Sequence, residues 1–229
     1  MVSAVVAFLV MSCGGVSVES NEVFGDVPGI YKAIGDNTKQ EIENAKGADN
    51  PEDIGKAKEA AEKFEAEMLE KLPAAIAEIG GRDVPFSGES DADFKVESVK
   101  VAVPEEGEST LALRVKVSAT REMPVGEYAM DCANGARALR DTRLYFVFLG
   151  EGDKFIDLGS INPFSDQASE SRFTPKKSAG ATFAAGELLT EEGSLVYVRC
   201  NQFDFTKFAK IAFVSEADYM NLRRQAYGF

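Results

Sequence analysis

Histidine and tryptophan are both absent from this chain of 229 residues. Without histidine it can build neither a Ser-His-Asp nor a Cys-His nucleophile system. The imidazole-rich sites that usually hold zinc or iron are excluded as well. Chemistry by carboxylate, lysine or tyrosine stays open, but the commonest general base is missing. Without tryptophan the surface lacks the ring on which sugars most often stack. Positive charge is in short supply, with 25 Lys and Arg against 38 Asp and Glu and a net charge of −13. That balance argues against nucleic acid, whose affinity comes largely from cations on phosphates. It argues equally against a body lying flat on anionic lipid. Long apolar runs are missing too: the stretch from Val2 to Ser12 falls short of the about 20 residues that a membrane-spanning helix needs.

What is present begins with that stretch. Its length suits the apolar core of a signal peptide, roughly 7–15 residues. It leads into Val10-Met11-Ser12-Cys13-Gly14-Gly15. The tetrapeptide ending at Cys13 resembles the lipobox of bacterial lipoproteins, and its loose form followed by two glycines resembles Bacteroidetes-type members. The resemblance covers residues 1–15 alone. It implies a signal peptide over 1–12, removed before Cys13, acylation of the Cys13 thiol, and a lipidated tether over 13–24. The first basic residue is Lys32, so the basic start of the signal peptide is expected upstream of Met1. The competing reading makes residues 2–12 a buried strand and Cys13 a core thiol. Gly14 differs from the Asp that retains enterobacterial lipoproteins at the inner membrane. The segment also lacks the Lys-acidic-acidic cluster that directs Bacteroidetes lipoproteins to the cell surface. The resemblance thus implies an outer-membrane protein of the cell envelope, lipid-anchored and facing the periplasm, its acidic body held off the membrane by the tether.

With Cys13 acylated, Cys132 and Cys200 remain as a pair in an oxidising compartment. They either close one disulfide, worth about 3–5 kcal/mol through loop entropy, or stay as two buried free thiols.

The rest of the chain reads as α+β. Pro28 opens a first helix and Gly47 closes it. Asn50 caps a second, with Pro51 at its first position and Asp53 completing a capping box. Ile54, Ala57, Ala61, Phe64, Met68, Leu72 and Ile76 then recur at helical spacing. Pro73 predicts a kink, and Gly80-Gly81 an end. Beyond Gly81 the period changes to two. Leu111, Leu113, Val115, Val117 and Ala119 alternate with more polar residues as a half-buried strand. Phe94 to Val103 is its expected partner, with a bulge between Val96 and Val99. Leu144–Leu149, apolar on both faces, reads as a central strand. Phe155–Leu158, Leu195–Cys200 and Phe208–Val214 read as further strands. Ser215 caps a last helix whose Tyr219, Leu222 and Tyr227 are expected to face the core. The expected architecture is a helical hairpin over 25–81, then an antiparallel β-sandwich over 82–229 with a short C-terminal helix.

Candidate sites are few. Asp91 with Asp93, and Glu151 with Asp153, each resemble half of a calcium loop. Neither shows the full spacing of an EF-hand, and solvated acidic turns account for both. No metal ligand set and no cofactor follow from the sequence. Arg137, Arg140 and Arg143 gather cations in an acidic chain. On a short helix Arg137 and Arg140 would share a face and grip a carboxylate or phosphate; the alternative is pairing with nearby acids. The loop over 159–187 carries Phe164, Phe173 and Phe183, which either meet a partner or ligand or tuck into the core. The functional expectation is a non-enzymatic envelope lipoprotein, an interaction or scaffold module with an envelope protein or glycan as partner. A small-ligand or glycan binder using Arg137, Arg140, Arg143 or Phe164 is the alternative. A carboxylate-only glycosidase comes last, because no spacing singles out two acids placed about 5–10 Å apart.

Overall fold

A computed structural model of the chain describes residues 18–47, 50–88, 93–104, 110–125, 129–132, 135–138, 143–165 and 180–228. Cys13, the leader, Asp91 and Arg140 lie outside them. The fold is α+β. Helix α1 spans Val27–Gly47 and buries Val27 and Ile30 at its start. Helix α2 spans Pro51–Leu69. Its cap is reciprocal: Asn50 Oδ1 accepts from the Asp53 amide at 2.9 Å, and Asn50 Nδ2 donates to the Asp53 carboxylate at 2.7 Å. At Pro73 the helix breaks rather than kinks, and α3 starts afresh over Leu72–Ile79. Proline lacks the N–H that would bond Leu69, and its ring would strike that carbonyl. Met68, Leu72, Ile76 and Ile79 enter the core. The earlier part of the apolar stripe does not, and Ile54 and Ile42 stay 40% and 50% exposed. The outer halves of α1 and α2 pack on each other beyond the core.

Strand β1 is Phe86–Ser87, β2 Phe94–Val101, β3 Ala112–Ala119, β4 Met123–Pro124, β5 Ala129–Cys132 and β6 Gly135–Ala138. Strand β7 is Leu144–Gly150, β8 Phe155–Ile161, β9 Thr182–Phe183, β10 Ser194–Tyr197 and β11 Phe208–Val214; α4 closes the chain over Glu216–Tyr227. One sheet has the order β1-β11-β7-β8 and a second β10-β3-β2. Strand β7 is central, as its two apolar faces require. The first sheet is mixed, because β1 runs parallel to β11. The bulge in β2 falls between Val96 and Ser98. It lets Val96 and Val99 both face inward and turns Glu97 out, where Ser118 Oγ donates to it at 2.6 Å. That bond, followed by those from Lys95, lowers the Glu97 pKa. Residues 81–84 cover one end of the β2 edge, with Gly81 N on Val101 O and Val84 N on Val99 O, both at 2.9 Å.

One apolar cluster draws on the helices and on both sheets. Its centre is phenylalanine: Phe148 meets Phe146, Phe205 and Phe208 edge-on, and Phe24 stacks on Phe208 at 4.5 Å. Gly159 on β8 is required by this packing, since a Cβ there would lie 2.3 Å from the Phe146 ring. Helix α4 departs from expectation. Ser215 caps it, accepting from the Asp218 amide at 3.1 Å, but none of its residues is buried. Tyr219 lies against Tyr145 at 4.6 Å, and Tyr227 reaches the body through its hydroxyl. Its polar face is too wide to submerge, so the tyrosines bridge core and solvent.

Candidate functional site

The N-terminal segment is held by a clip. Ser20-Asn21-Glu22-Val23-Phe24-Gly25 folds into a turn in which Asn21 and Gly25 exchange backbone bonds at 2.8 Å. Asn21 is buried at 7% exposure. Its Oδ1 accepts from the amides of Val23 and Phe24 at 2.9 and 3.0 Å. Its Nδ2 donates to the carbonyls of Thr206 and Phe208 at 3.1 and 2.9 Å. Both ends of the amide are thereby satisfied, as a buried polar group demands. Phe24 and Val23 sit in the core below. On the other side, the backbone of Glu19 passes so close to α1 that a Cβ on Gly29 would lie 2.1 Å from its carbonyl oxygen. Glu19 also pairs with Lys207. The tether expected over 13–24 therefore ends well before Phe24, because Val23 and Phe24 gain more from burial than from solvent.

A second polar cluster joins β8, the turn after β10 and the end of α4. Asp157 is 1% exposed. Its carboxylate accepts from Arg199 Nε at 2.9 Å and Nη2 at 2.5 Å, from Tyr227 Oη at 2.9 Å and from the Leu158 amide at 2.7 Å. Arg199 also lies 5.1 Å over the Phe203 ring. Burial raises the Tyr227 pKa, and its bond to Asp157 adds to this. Burial alone would lower the Arg199 pKa, but the Asp157 bond and charge bring it above its ordinary value. Three of these donors converge on Oδ1 and one, Arg199 Nε, reaches Oδ2. The carboxylate ties three elements together.

The chain matches no protein-family model, and neither curated proteins nor solved structures gave a match.

The described residues among those singled out from sequence lie on separate elements. Arg137 lies in β6, opposite Met130 of β5, and not on a helix. Arg143 is exposed just before β7. Phe164 is turned inward, 1% exposed and packed on Phe94 and Phe183 at 5.6 and 5.9 Å. It meets no ligand from solvent, because its ring completes the core between β2 and β9; Phe173 lies outside the described residues. Cys132 belongs to β5. Cys200 is a free, buried thiol. Burial pushes its pKa far above the ordinary thiol range, which leaves it protonated and unreactive. Asp93 pairs with Arg121 at 2.7 Å and Asp153 with Lys210 at 2.8 Å. Among the described residues no group of three acids or cysteines could hold a metal ion. No described helix is long and apolar enough to cross a membrane.

The Asn21 clip escaped the sequence reading. Its signal was an Asn followed by Glu, two apolar residues and a Gly, a pattern that suits an Asx-type turn.

Proposed function

We propose that this chain is a non-enzymatic lipoprotein of the bacterial cell envelope, anchored by lipid on Cys13 in the outer membrane and facing the periplasm. It acts as an interaction or scaffold module for an envelope protein or glycan. The apolar run that ends at Cys13-Gly14-Gly15 carries this reading. Two further observations support it. The enclosed carboxylate Asp157 is tied to Arg199, Tyr227 and the Leu158 amide as a structural link, and the outer halves of α1 and α2 extend past the core with Ile42 and Ile54 exposed. In this reading α1 and α2 are a helical hairpin offered to a partner, and the two larger sheets are the layers of a β-sandwich behind it.

The test is metabolic labelling with a fatty acid in the native host, comparing wild type with Cys13→Ala and locating the modification by intact mass. Label on the wild type that is lost in the variant supports anchoring at Cys13. A wild-type protein that keeps residues 1–12 and takes no label overturns it.

A further inference from the structure

The clip sets a limit on how far the folded body can stand from an anchor. Five residue steps separate Cys13 from Val18, and six separate it from Glu19. Whatever path they follow, six steps span at most about 21 Å. Glu19 is itself fixed, by its close passage over Gly29 and its pairing with Lys207. Two residues on, Asn21 is bonded to Thr206 and Phe208. The chain thus leaves the body at one defined place, beside the start of α1 and the start of β11.

We infer that the face surrounding the clip, with Lys32 and Lys207 beside Glu19 and Asp204, faces the lipid headgroups of the leaflet that holds the anchor and stays close to them. This rests on the lipid-anchor reading above. A bilayer's polar layer is about 5–8 Å deep on each side. Crossing it leaves at most about 13–16 Å between the headgroup surface and the place where the chain joins the body. Charge does not supply the attraction. Lys32 pairs with Asp36 at 2.9 Å, Lys207 pairs with Glu19, and the whole chain carries −13. Proximity is imposed by the short connection, so uncharged headgroups serve as well as any. The body does not float on a leash, contrary to the expectation from residues 13–24 of the sequence alone. It has one membrane-facing side, which leaves the remaining surface for partners.

The experiment uses the full chain, expressed with its leader in a host that acylates lipoproteins and reconstituted in phosphatidylcholine vesicles carrying a trace of fluorescent headgroup. A fluorescent amino acid replaces Lys32 as energy donor; neither the Asn21 bonds nor the Glu19–Lys207 pair involves that side chain. Intact mass first establishes whether Cys13 is acylated. For the acylated protein, strong transfer from position 32 is expected. A flexible insert of about twenty Gly and Ser residues between Ser17 and Val18 adds about 25 Å of root-mean-square reach and should at least halve the transfer. Gly29→Ala, which forces the Glu19 backbone off α1, should lower it as well. An acylated protein whose transfer is weak, or unchanged by the insert, overturns the inference and leaves the anchor standing. A protein without acylation overturns the anchor and, with it, the inference.

Discussion

Replacing Arg199 by Met tests whether the Asp157 cluster holds the fold together. Met keeps most of the aliphatic stem and removes the guanidinium, with its contact over the Phe203 ring. Two charge-assisted bonds to Asp157 are lost, each worth about 1.5–3 kcal/mol in comparable series. What remains is a carboxylate that is 1% exposed, with the Tyr227 hydroxyl and one amide for company. Breaking a fully buried pair in this way costs about 3–5 kcal/mol, and an exposed one under about 1 kcal/mol. Asp157 is enclosed, but the Arg199 side chain is 44% exposed, so water can reach the vacated side. The expected cost lies between these limits, at about 2–4 kcal/mol. For a chain of this size each kcal/mol lowers Tm by about 2–4 °C, which predicts a fall of about 5–15 °C. Urea unfolding followed by circular dichroism should show a lower midpoint with an unchanged slope. Asp157→Asn and the double variant complete a cycle, and a coupling of about 1.5–3 kcal/mol is expected. A coupling below about 0.5 kcal/mol would show that the pair contributes nothing specific and would refute this account of the cluster.

Four further outcomes are expected. Tyr227→Phe should cost about 1 kcal/mol and speed hydrogen exchange in α4; unaltered exchange there would mean that the hydroxyl does not hold the helix. Asn21→Ala removes both halves of a buried amide and should cost about 2–4 kcal/mol, with exchange at Val23 and Phe24 rising first; protection that persists at those amides would count against the clip. Cys200 is protonated in the fold well above the ordinary thiol value of 9.0, whereas the unfolded chain releases that proton near 9.0. The native state then binds more protons than the unfolded one, so its stability is intact below about pH 9 and falls above it, by up to about 1.4 kcal/mol per pH unit. Cys200→Ala should flatten that fall between about pH 9 and 11, and an identical slope in the variant would exclude the thiol as its source. Phe164→Ala should cost about 3–5 kcal/mol, while a loss under about 1 kcal/mol would place the ring outside the core.

Local signals were legible. Asn50 and Ser215 cap helices through contacts three residues away, and such contacts are written directly in the sequence. The alternation over Leu111–Ala119 and the broken step between Val96 and Val99 correspond to buried faces and a bulge, because each follows from the two-residue period of a strand. Residues whose partners lie far along the chain were not legible. Asn21 looks like tether until Thr206 and Phe208, some 185 residues later, are brought beside it. Tyr227 has the spacing of a core residue, but α4 lies too far out to bury it, and its hydroxyl rather than its ring decides where it sits. The three-residue spacing of Arg137 and Arg140 suits a helix, whereas Arg137 lies in β6 and pairs with Met130 across the hairpin, a partner that spacing within the segment does not reveal.

The stacking of Phe24 on Phe208 also bears on the order of folding. A chain made and threaded from its N-terminus delivers residue 24 long before residue 208. Phe24 packs on Phe205 and Phe208, with Phe148 behind them, so its ring contacts do not exist until almost the whole chain has emerged. Contacts of such long sequence separation form late and slowly. The first described segment is therefore among the last to settle, and an N-terminal fragment that lacks β11 has nothing on which to close.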